Sequence, residues 1–295
     1  MRACVRLSLY SVVALYLALA GCVAAHAADP ADWTAAQKPF RIAGNLYYVG
    51  SRDLAAFLVA TPQGNILINQ NLESSPPQIR SSVEQLGFRW ADTKILLNSQ
   101  AHFDHVAGAA TIAQQTGARV MTMEYDANIE EHGGRDDFSH EVKPYPAVHV
   151  ARVLHDGDPV TLGGTTLIAH RTGGHTRGCT TWTFDVPSAA GRTLHVVIVG
   201  GVSLLSDYRL IEAPGHVASY PGIAQDFQHT FATLRALPCD IFLGAHGVYF
   251  DMQQKLTRLP REGERVWIDP AGYQQLISTA QQAFAQRLQQ QQAAR

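Results

Sequence analysis

The chain has 295 residues, of which 46% are hydrophobic and 16% are charged, and its formal net charge is −2. This composition is that of a globular protein long enough for one large domain or two modest ones. The near-neutral charge excludes the strongly basic surface of a nucleic-acid-binding protein, so we expect no nucleic-acid partner.

The N-terminus has the features of an export signal. Arg2 and Arg6 precede an apolar run at residues 7–20, and small residues follow that run. The run is too short to cross a bilayer comfortably. We therefore predict export to the periplasm.

Two cleavage sites follow the apolar run. The sequence LAGC at residues 19–22 resembles a lipobox, whose use would remove residues 1–21 and leave a lipid anchor on Cys22. The sequence AHA resembles an ordinary signal-peptidase site, whose use would remove residues 1–27 and release the protein from the membrane. The sequence leaves both open. No linker interrupts the remainder, so residues 28–295 are predicted to form a single domain.

Short apolar or alternating segments in the first half of the chain predict β-strands. Residues 76–88 and 106–117 carry apolar or small side chains at helical spacing and predict two helices between those strands. The predicted strands lie at residues 45–51, 54–61, 65–70, 93–99 and 118–123.

The second half repeats this order after residues 124–150, which are predicted to form a long loop with one short helix. Residues 222–237 predict an amphipathic helix, and a terminal helix is predicted from Asp269 onward. Two such halves predict an α/β fold with two sheets packed back to back, helices outside, and a site at the strand ends. The predicted strands lie at residues 159–172 (with a glycine turn inside), 180–186, 193–201 and 240–244.

Four of the thirteen histidines follow apolar strands and have glycine nearby. His102 and His105 lie in SQAHFDHVAG, His175 lies in TGGHTRG, and His246 lies in LGAHG. Seven others lack a partner pattern and are expected to be solvated or structural. These seven are His132, His140, His149, His155, His195, His216 and His229.

The segment SQAHFDHVAG has the spacing of a metal-binding turn. Gln100 and His102 are two residues apart in an extended segment, so their side chains face the same way. Asp104 and His105 follow where the chain turns into a helix, and they can address a second metal. Zinc binds imidazole and carboxylate and keeps an open position for water in catalytic sites. The alternative is a polar turn in which Asp104 caps the helix, but the two remote histidines favour a metal.

Three segments, SQAHFDHVAG, GGHTRGCTTWTF and FATLRALPCDIFLGAHG, resemble the metallo-β-lactamase superfamily and, more narrowly, its subclass B3. Weaker matches in PFRIAGNLYYVGS, GGRDDF and IDPAGYQQLI extend the resemblance over most of the chain. The resemblance implies an αββα sandwich with zinc at one edge. It also implies the ligand sets, which are Gln100, His102 and His175 for a first zinc and Asp104, His105 and His246 for a second.

Gln100 departs from the family pattern, in which a histidine is the usual first ligand. A minority of the subclass has glutamine there, so the departure does not by itself abolish activity. A neutral carboxamide oxygen is a weaker ligand than imidazole for zinc. We therefore expect one or two zinc ions, with the second site the tighter.

The resemblance implies hydrolysis of the β-lactam amide of penicillins, cephalosporins and carbapenems by zinc-bound hydroxide. In that reaction Asp104 would both bind zinc and orient the water. Arg177, which replaces a proline usual in the family, and Trp33 are candidates for contacting the substrate. Their alternatives are a solvated or ion-paired arginine and an ordinary surface or core aromatic. We expect a monomer acting on a small molecule.

Two other functions stay open at this point. A lactonase or a thioesterase of the same fold usually carries a bridging aspartate at the end of the strand HVVIVGG, where Gly200 and Gly201 stand here. An exported metal-binding protein without turnover is the second alternative. Serine hydrolase motifs are missing from the sequence.

Cys179 and Cys239 remain after signal removal, and an oxidising compartment would permit a disulfide between them.

Overall fold

The computed structural model describes residues 29–294. The predicted export signal, with Cys22 and both cleavage sites, lies outside these residues. The predicted arrangement of two mixed sheets with helices outside is confirmed. In the part of the chain that is described, no helix is both long enough and apolar enough to span a bilayer.

The first sheet has seven strands in chain order. Its first four strands form an antiparallel meander, and the remaining pairs are parallel. Helices α1 (Pro76–Gln85), α3 (Ala109–Thr116) and α4 (Asp126–Glu131) lie in the parallel connections, and the short helix α2 (Phe103–Val106) precedes α3. The strands are β1 (Phe40–Ala43), β2 (Leu46–Tyr48), β3 (Phe57–Thr61), β4 (Gly64–Ile68), β5 (Thr93–Leu97), β6 (Arg119–Met123) and β7 (Val150–Leu154).

The second sheet has five strands in the order β12-β11-β10-β9-β8. Four of them pair antiparallel, and β12 pairs parallel to β11 after a crossover through α5 (Ile223–Ala236). Helices α6 (Met252–Glu262) and α7 (Pro270–Ala293) complete the chain. The strands are β8 (Pro159–Leu162), β9 (Thr165–Arg171), β10 (Thr180–Pro187), β11 (Thr193–Val199) and β12 (Ile241–Gly244).

Side chains on the two faces of the first sheet pack into two separate hydrophobic cores. Phe57 and Val59 of β3 face the core between the sheets, where they join Trp182 and Phe184 of β10. The intervening Leu58 belongs to the other core, beneath α1 and α3. Because successive side chains of a strand point to opposite faces, a sheet that is covered on both sides places apolar residues at all three buried positions of β3.

Strand β7 and helix α6, like the short first strand β1, were not predicted. The end strand β7 has exposed side chains at its three central positions, so it lacks the apolar run of a central strand. Helix α6 places Met252, Leu256 and Leu259 on one stripe against the core, but it is otherwise polar and contains Pro260, which weakens the helical signal. Local periodicity therefore gives only a weak signal for either element.

The ends of three strand connections meet at one edge of the sandwich. The chain leaves β5 into residues 98–102, and it leaves β12 directly into His246. His175 lies in the connection between β9 and β10. A backbone bridge between Leu54 and His246 joins the first sheet to the end of the second. The fold therefore gathers the predicted metal ligands in one place.

Candidate metal centre

One cluster of potential metal ligands stands out at this edge. Asp104, His105 and His246 each direct one ligand atom to within 4.8 Å of the others, and within residues 29–294 they are the only group of three or more His, Cys, Asp or Glu residues that does so. Oδ2 of Asp104 lies 3.3 Å from Nε2 of His105 and 3.5 Å from Nε2 of His246. A buried carboxylate with two imidazoles is a donor set that suits zinc.

The other predicted ligands lie side by side. The rings of His102 and His175 are 4.7 Å apart, centroid to centroid, and both residues are buried. Gln100 is also buried, and its Oε1 has no hydrogen-bond partner among the described residues. A buried polar atom without a partner is costly, which makes Oε1 a candidate donor for a cation.

Outer partners fix the orientation of two imidazoles. Nδ1 of His175 donates to the backbone oxygen of Ser203 at 2.8 Å, and Nδ1 of His246 donates to Oδ2 of Asp53 at 3.0 Å. Because an oxygen acceptor takes the proton on Nδ1, Nε2 is the nitrogen that each ring directs to the cluster and that a cation would occupy. This is the orientation that a metal-binding histidine needs.

His105 is a buried histidine whose ring nitrogens are both unpaired. It is fully buried, and neither of its ring nitrogens has a hydrogen-bond partner in the described structure. Burial, reinforced by the neighbouring histidines, lowers the pKa of His105 to about 4 despite the charge of Asp104. The ring is therefore neutral at pH 7, as a metal ligand must be.

The electrostatics of the remaining ligands agree with this picture. Burial lowers the pKa of His102 and of His175. Burial alone would raise the pKa of Asp104, but the surrounding histidines outweigh it and hold that pKa far below its usual range. At neutral pH the imidazoles of His102, His105 and His175 are therefore neutral, and the Asp104 carboxylate is ionised.

His246 is the exception among the histidines. Burial lowers its pKa, but hydrogen bonds and charges from Asp104 and Asp53 outweigh burial and raise that pKa to about 9. A cation on Nε2 would compete with this proton, so binding at neutral pH should release it.

Asp53 is a functional residue that the sequence did not reveal. Its carboxylate accepts from His246 and, at 3.0 Å, from the backbone N–H of Val248. It stands 193 residues before His246 in the chain. No spacing or motif connects two residues so far apart, so only the fold could identify it.

The two predicted substrate contacts have different surroundings. Trp33 is half-buried, and its ring lies 5.8 Å from the ring of His246, so it forms a wall of the cluster. Arg177 is exposed, with its guanidinium 4.3 Å from the ring centroid of Tyr125 and 5.1 Å from that of Tyr220. The two tyrosines thus hold Arg177 beside the loop of His175.

The seven histidines without a partner pattern and the two cysteines take no part in the ligand cluster among the described residues. The seven histidines expected to be solvated or structural are all exposed, and several face acidic neighbours, such as His195 with Asp185 at 2.7 Å. Cys179 and Cys239 are free thiols in the structure. Cys179 is buried, and its Sγ accepts from the backbone N–H of Gly201.

Helix α4 carries two buried carboxylates that the sequence analysis did not single out. Asp126 bonds to both ligand-bearing loops, and burial raises its pKa to about 7 although hydrogen bonds from Thr176 and Gly178 lower it. Glu130 accepts from Nδ2 of Asn98 at 2.6 Å and from Oγ1 of Thr122 at 2.9 Å. Burial raises the pKa of Glu130 well above its usual value.

The raised pKa of Glu130 predicts a pH-dependent stability. A folded-state pKa above the unfolded value of about 4.3 means that the folded state holds the proton more tightly. The contribution of Glu130 to stability is then complete below pH 4.3 and is lost as the pH rises through the folded-state pKa. Relative to Glu130→Gln, the wild-type free energy of unfolding should fall with rising pH. Urea unfolding at several pH values measures this difference, and parallel profiles would contradict the prediction.

Comparison with known proteins connects this centre to a family. Residues 55–246 match the profile described as the metallo-beta-lactamase superfamily. The native FEZ-1 metallo-beta-lactamase from Legionella gormanii is 44% identical, with a TM-score of 0.84 over 88% of this chain and 98% of that chain. The class B3 di-zinc metallo-beta-lactamase LRA-12 from an Alaskan soil metagenome is 35% identical, with a TM-score of 0.81 over 88% of this chain and 98% of that one.

Curated relatives are more distant. A hydroxyacylglutathione hydrolase of Maricaulis maris is 27% identical over 182 residues, which are 61% of this chain and 52% of that protein. A probable metallo-hydrolase of Burkholderia pseudomallei is 26% identical over 141 residues. The chain spans about half the length of these curated relatives.

Proposed function

The chain belongs to the metallo-beta-lactamase superfamily, and we propose that it is a zinc-dependent enzyme that hydrolyses the amide bond of β-lactam antibiotics. The observation that carries the proposal is the convergence of Asp104, His105 and His246 next to the His102–His175 pair at one sheet edge. The similarity to solved β-lactamases over nearly their full length supports the choice of substrate.

The proposal assigns two zinc positions. The second position uses the carboxylate cluster, whose ligand atoms converge and whose His105 nitrogens have no competing partner among the described residues. The first position uses Gln100, His102 and His175, where Oε1 of Gln100 likewise has no partner. We call these the second and first zinc positions.

A zinc ion held there would lower the pKa of water toward about 7 and so supply a nucleophile at neutral pH. The carboxylate of Asp104 would serve as a ligand and as a hydrogen-bond acceptor that orients the water. Asp53 keeps His246 in the tautomer that binds through Nε2. Trp33 restricts the space beside His246, and we propose that Trp33 and Arg177 contact the substrate.

A thioesterase is the second candidate, because the hydroxyacylglutathione hydrolase of Maricaulis maris is among the curated relatives. The end of β11 weighs against it and against a lactonase. Gly200 and Gly201 stand there, and the first carboxylate after them is Asp207. Asp207 accepts from Ser139 Oγ and from the backbone N–H of His140.

The decisive experiment compares substrates on one zinc-loaded preparation. Residues 28–295 would be assayed with the β-lactam nitrocefin, an acyl-homoserine lactone and S-lactoylglutathione, each with and without a chelator. We expect chelator-sensitive hydrolysis of nitrocefin to exceed that of the other two by orders of magnitude. Preferential lactone or thioester hydrolysis would replace the proposal, and no hydrolysis of any substrate would favour a binding protein without turnover.

The glutamine at the first zinc position predicts unequal zinc affinities. We expect the apo-protein to take up zinc in two steps, with the second position filled first, because a carboxamide oxygen is a weaker ligand than imidazole. Gln100→His should tighten the weaker step on the order of tenfold, or about 1.4 kcal/mol. Titration against a competing chelator measures both steps. Gln63→His, in an exposed turn, is the matched control, and two equally tight wild-type sites would refute the prediction.

The proposal also covers the cellular compartment and the oligomeric state of the protein. We propose a periplasmic monomer whose signal ends either at residue 21, with a lipid on Cys22, or at residue 27. Mass spectrometry of the mature N-terminus distinguishes the two, because acylation adds the mass of its acyl chains to a chain that begins at Cys22.

A further inference from the structure

We propose that Asp126 is a positioning residue that controls the first zinc position by bridging the two loops that carry its ligands. The proposal rests on the zinc centre proposed above, but it concerns metal binding and does not depend on the substrate. Asp126 belongs to α4 and is 1% exposed. Both of its oxygens accept hydrogen bonds from the ligand-bearing loops, so it is placed as a bridge behind the ligands and not as a ligand.

The Asp126 carboxylate accepts three hydrogen bonds from the two loops. Oδ2 accepts from the backbone N–H of Ala101 at 3.0 Å and from Oγ1 of Thr176 at 2.6 Å. Oδ1 accepts from the backbone N–H of Gly178 at 2.7 Å. Ala101 lies between Gln100 and His102, and Thr176 directly follows His175.

The fold requires close contact at this bridge. A Cβ on Gly178 would lie 2.4 Å from the backbone oxygen of Glu124 and 2.7 Å from the backbone nitrogen of Asp126. Such distances exclude any larger residue without displacement of the backbone, so a glycine is needed where the loop passes the start of α4. The backbone of Ala101 is held on its other side as well, since its oxygen accepts from the Tyr145 hydroxyl at 2.6 Å.

The bridge is selective for the first position. In the second position, His246 is oriented by Asp53, and none of the hydrogen bonds recorded for Asp126 reaches the loop of His246. Asp104 and His105 are placed by the turn into α2, where the backbone N–H of His105 donates to the oxygen of His102. Loss of the Asp126 bridge should therefore separate Gln100 and His102 from His175 before it disturbs the second position.

A weak ligand makes this positioning more important. The amide oxygen of Gln100 attracts zinc less strongly than imidazole does, so the first position depends more on ligands that are already held in place. Without the bridge, zinc binding would have to order both loops, and the conformational entropy of that ordering would reduce the affinity.

The test is zinc titration of Asp126→Asn against a competing chelator. Asparagine has one acceptor oxygen, and its NH₂ group would face an N–H or O–H donor, so at least one bond to the loops is lost. We expect the weaker zinc step to lose affinity about 10- to 100-fold and the tighter step to stay unchanged. Thr176→Val removes one of the three bonds and should give a smaller loss in the same step.

Two control variants separate positioning from general destabilisation. Glu130→Gln changes a buried carboxylate of the same helix that contacts Thr122 and, at the start of the first loop, Asn98. The glutamine oxygen can still accept from Asn98, so both zinc steps should stay at wild-type affinity. Asp53→Asn should weaken the tighter step instead. Thermal unfolding of each apo-variant reports its stability independently of zinc.

The outcomes are distinct from those of the activity assay. Selective weakening of the first step in Asp126→Asn, with a graded effect in Thr176→Val, supports the inference. Equal weakening of both steps, or an effect no larger than that of Glu130→Gln, overturns it. If wild type binds zinc in two steps but does not hydrolyse nitrocefin, the proposed function fails while this inference stands.

Discussion

Asp104→Asn is expected to lower kcat/KM for a β-lactam by about 10³-fold, which corresponds to about 4 kcal/mol of transition-state stabilisation. This loss is the size expected when a catalytic metal is displaced or misplaced, since a bound metal supplies several kcal/mol. The same variant should lose the tighter zinc step in a chelator titration.

The expectation follows from the charge of the site. Asp104 is the one carboxylate among the six proposed ligands, and its Oδ2 lies between Nε2 of His105 and Nε2 of His246. Its lowered pKa keeps it ionised at neutral pH. Asparagine preserves the shape of the side chain but removes the charge that neutralises a cation and the acceptor that orients water.

The matched control is Asp185→Asn, which makes the same substitution at the protein surface. Asp185 is an exposed carboxylate of β10 that also contacts a histidine, His195, at 2.7 Å. Neither Asp185 nor His195 is one of the six proposed ligands. We expect this variant to retain wild-type kcat/KM and both zinc steps. Retention of more than about a tenth of the activity by Asp104→Asn would contradict the assigned role of Asp104.

Trp182→Ala is expected to lower the free energy of unfolding by about 3–5 kcal/mol. Trp182 is 1% exposed in the core between the two sheets. Its indole N–H donates to the backbone oxygen of Asn98 at 2.9 Å. The substitution would therefore leave a large cavity and also a buried carbonyl without its donor.

This residue also joins the core to the metal centre. Asn98 is two residues before Gln100, so the indole of β10 holds the start of the ligand-bearing loop against the second sheet. Trp182→Phe keeps most of the apolar volume but removes the N–H, and we expect a smaller loss of about 1–3 kcal/mol. The difference between the two variants separates packing from the hydrogen bond.

Urea unfolding of the apo-proteins in the presence of a chelator measures both variants. The chelator is needed because zinc bound to the folded state would add stability by mass action. A loss of only about 1 kcal/mol for Trp182→Ala, the size of an average substitution, would contradict the placement of this side chain between the sheets.

Much of the architecture was predictable from local patterns. In α5, Ile223, Phe227, Phe231 and Leu234 were expected on one stripe, and all four are buried. Such a stripe is visible in the sequence because a helix brings residues three and four apart onto one face. Helix α6 was missed because its short stripe of Met252, Leu256 and Leu259 stands in an otherwise polar segment that contains Pro260.

The candidate site was predictable only in part. The spacing of Gln100, His102, Asp104 and His105 marked the turn, and glycines marked the loops of the two remote histidines. The carboxylates behind the ligands were not marked by any pattern. Asp53 reaches His246 across 193 positions, and Asp126 reaches Gly178 across 52.

By itself, the sequence determined most helices and strands and the turn of Gln100 to His105, which depend on periodicity and spacing between neighbouring residues. The resemblance of its motifs to a known family implied the full ligand sets. Only the tertiary structure decided that Asp104, His105 and His246 converge, which nitrogen each outer partner occupies, and which buried carboxylates support the loops. Those relations join residues that the chain separates widely, and they exist only after packing of the two sheets brings the strand ends to a common edge.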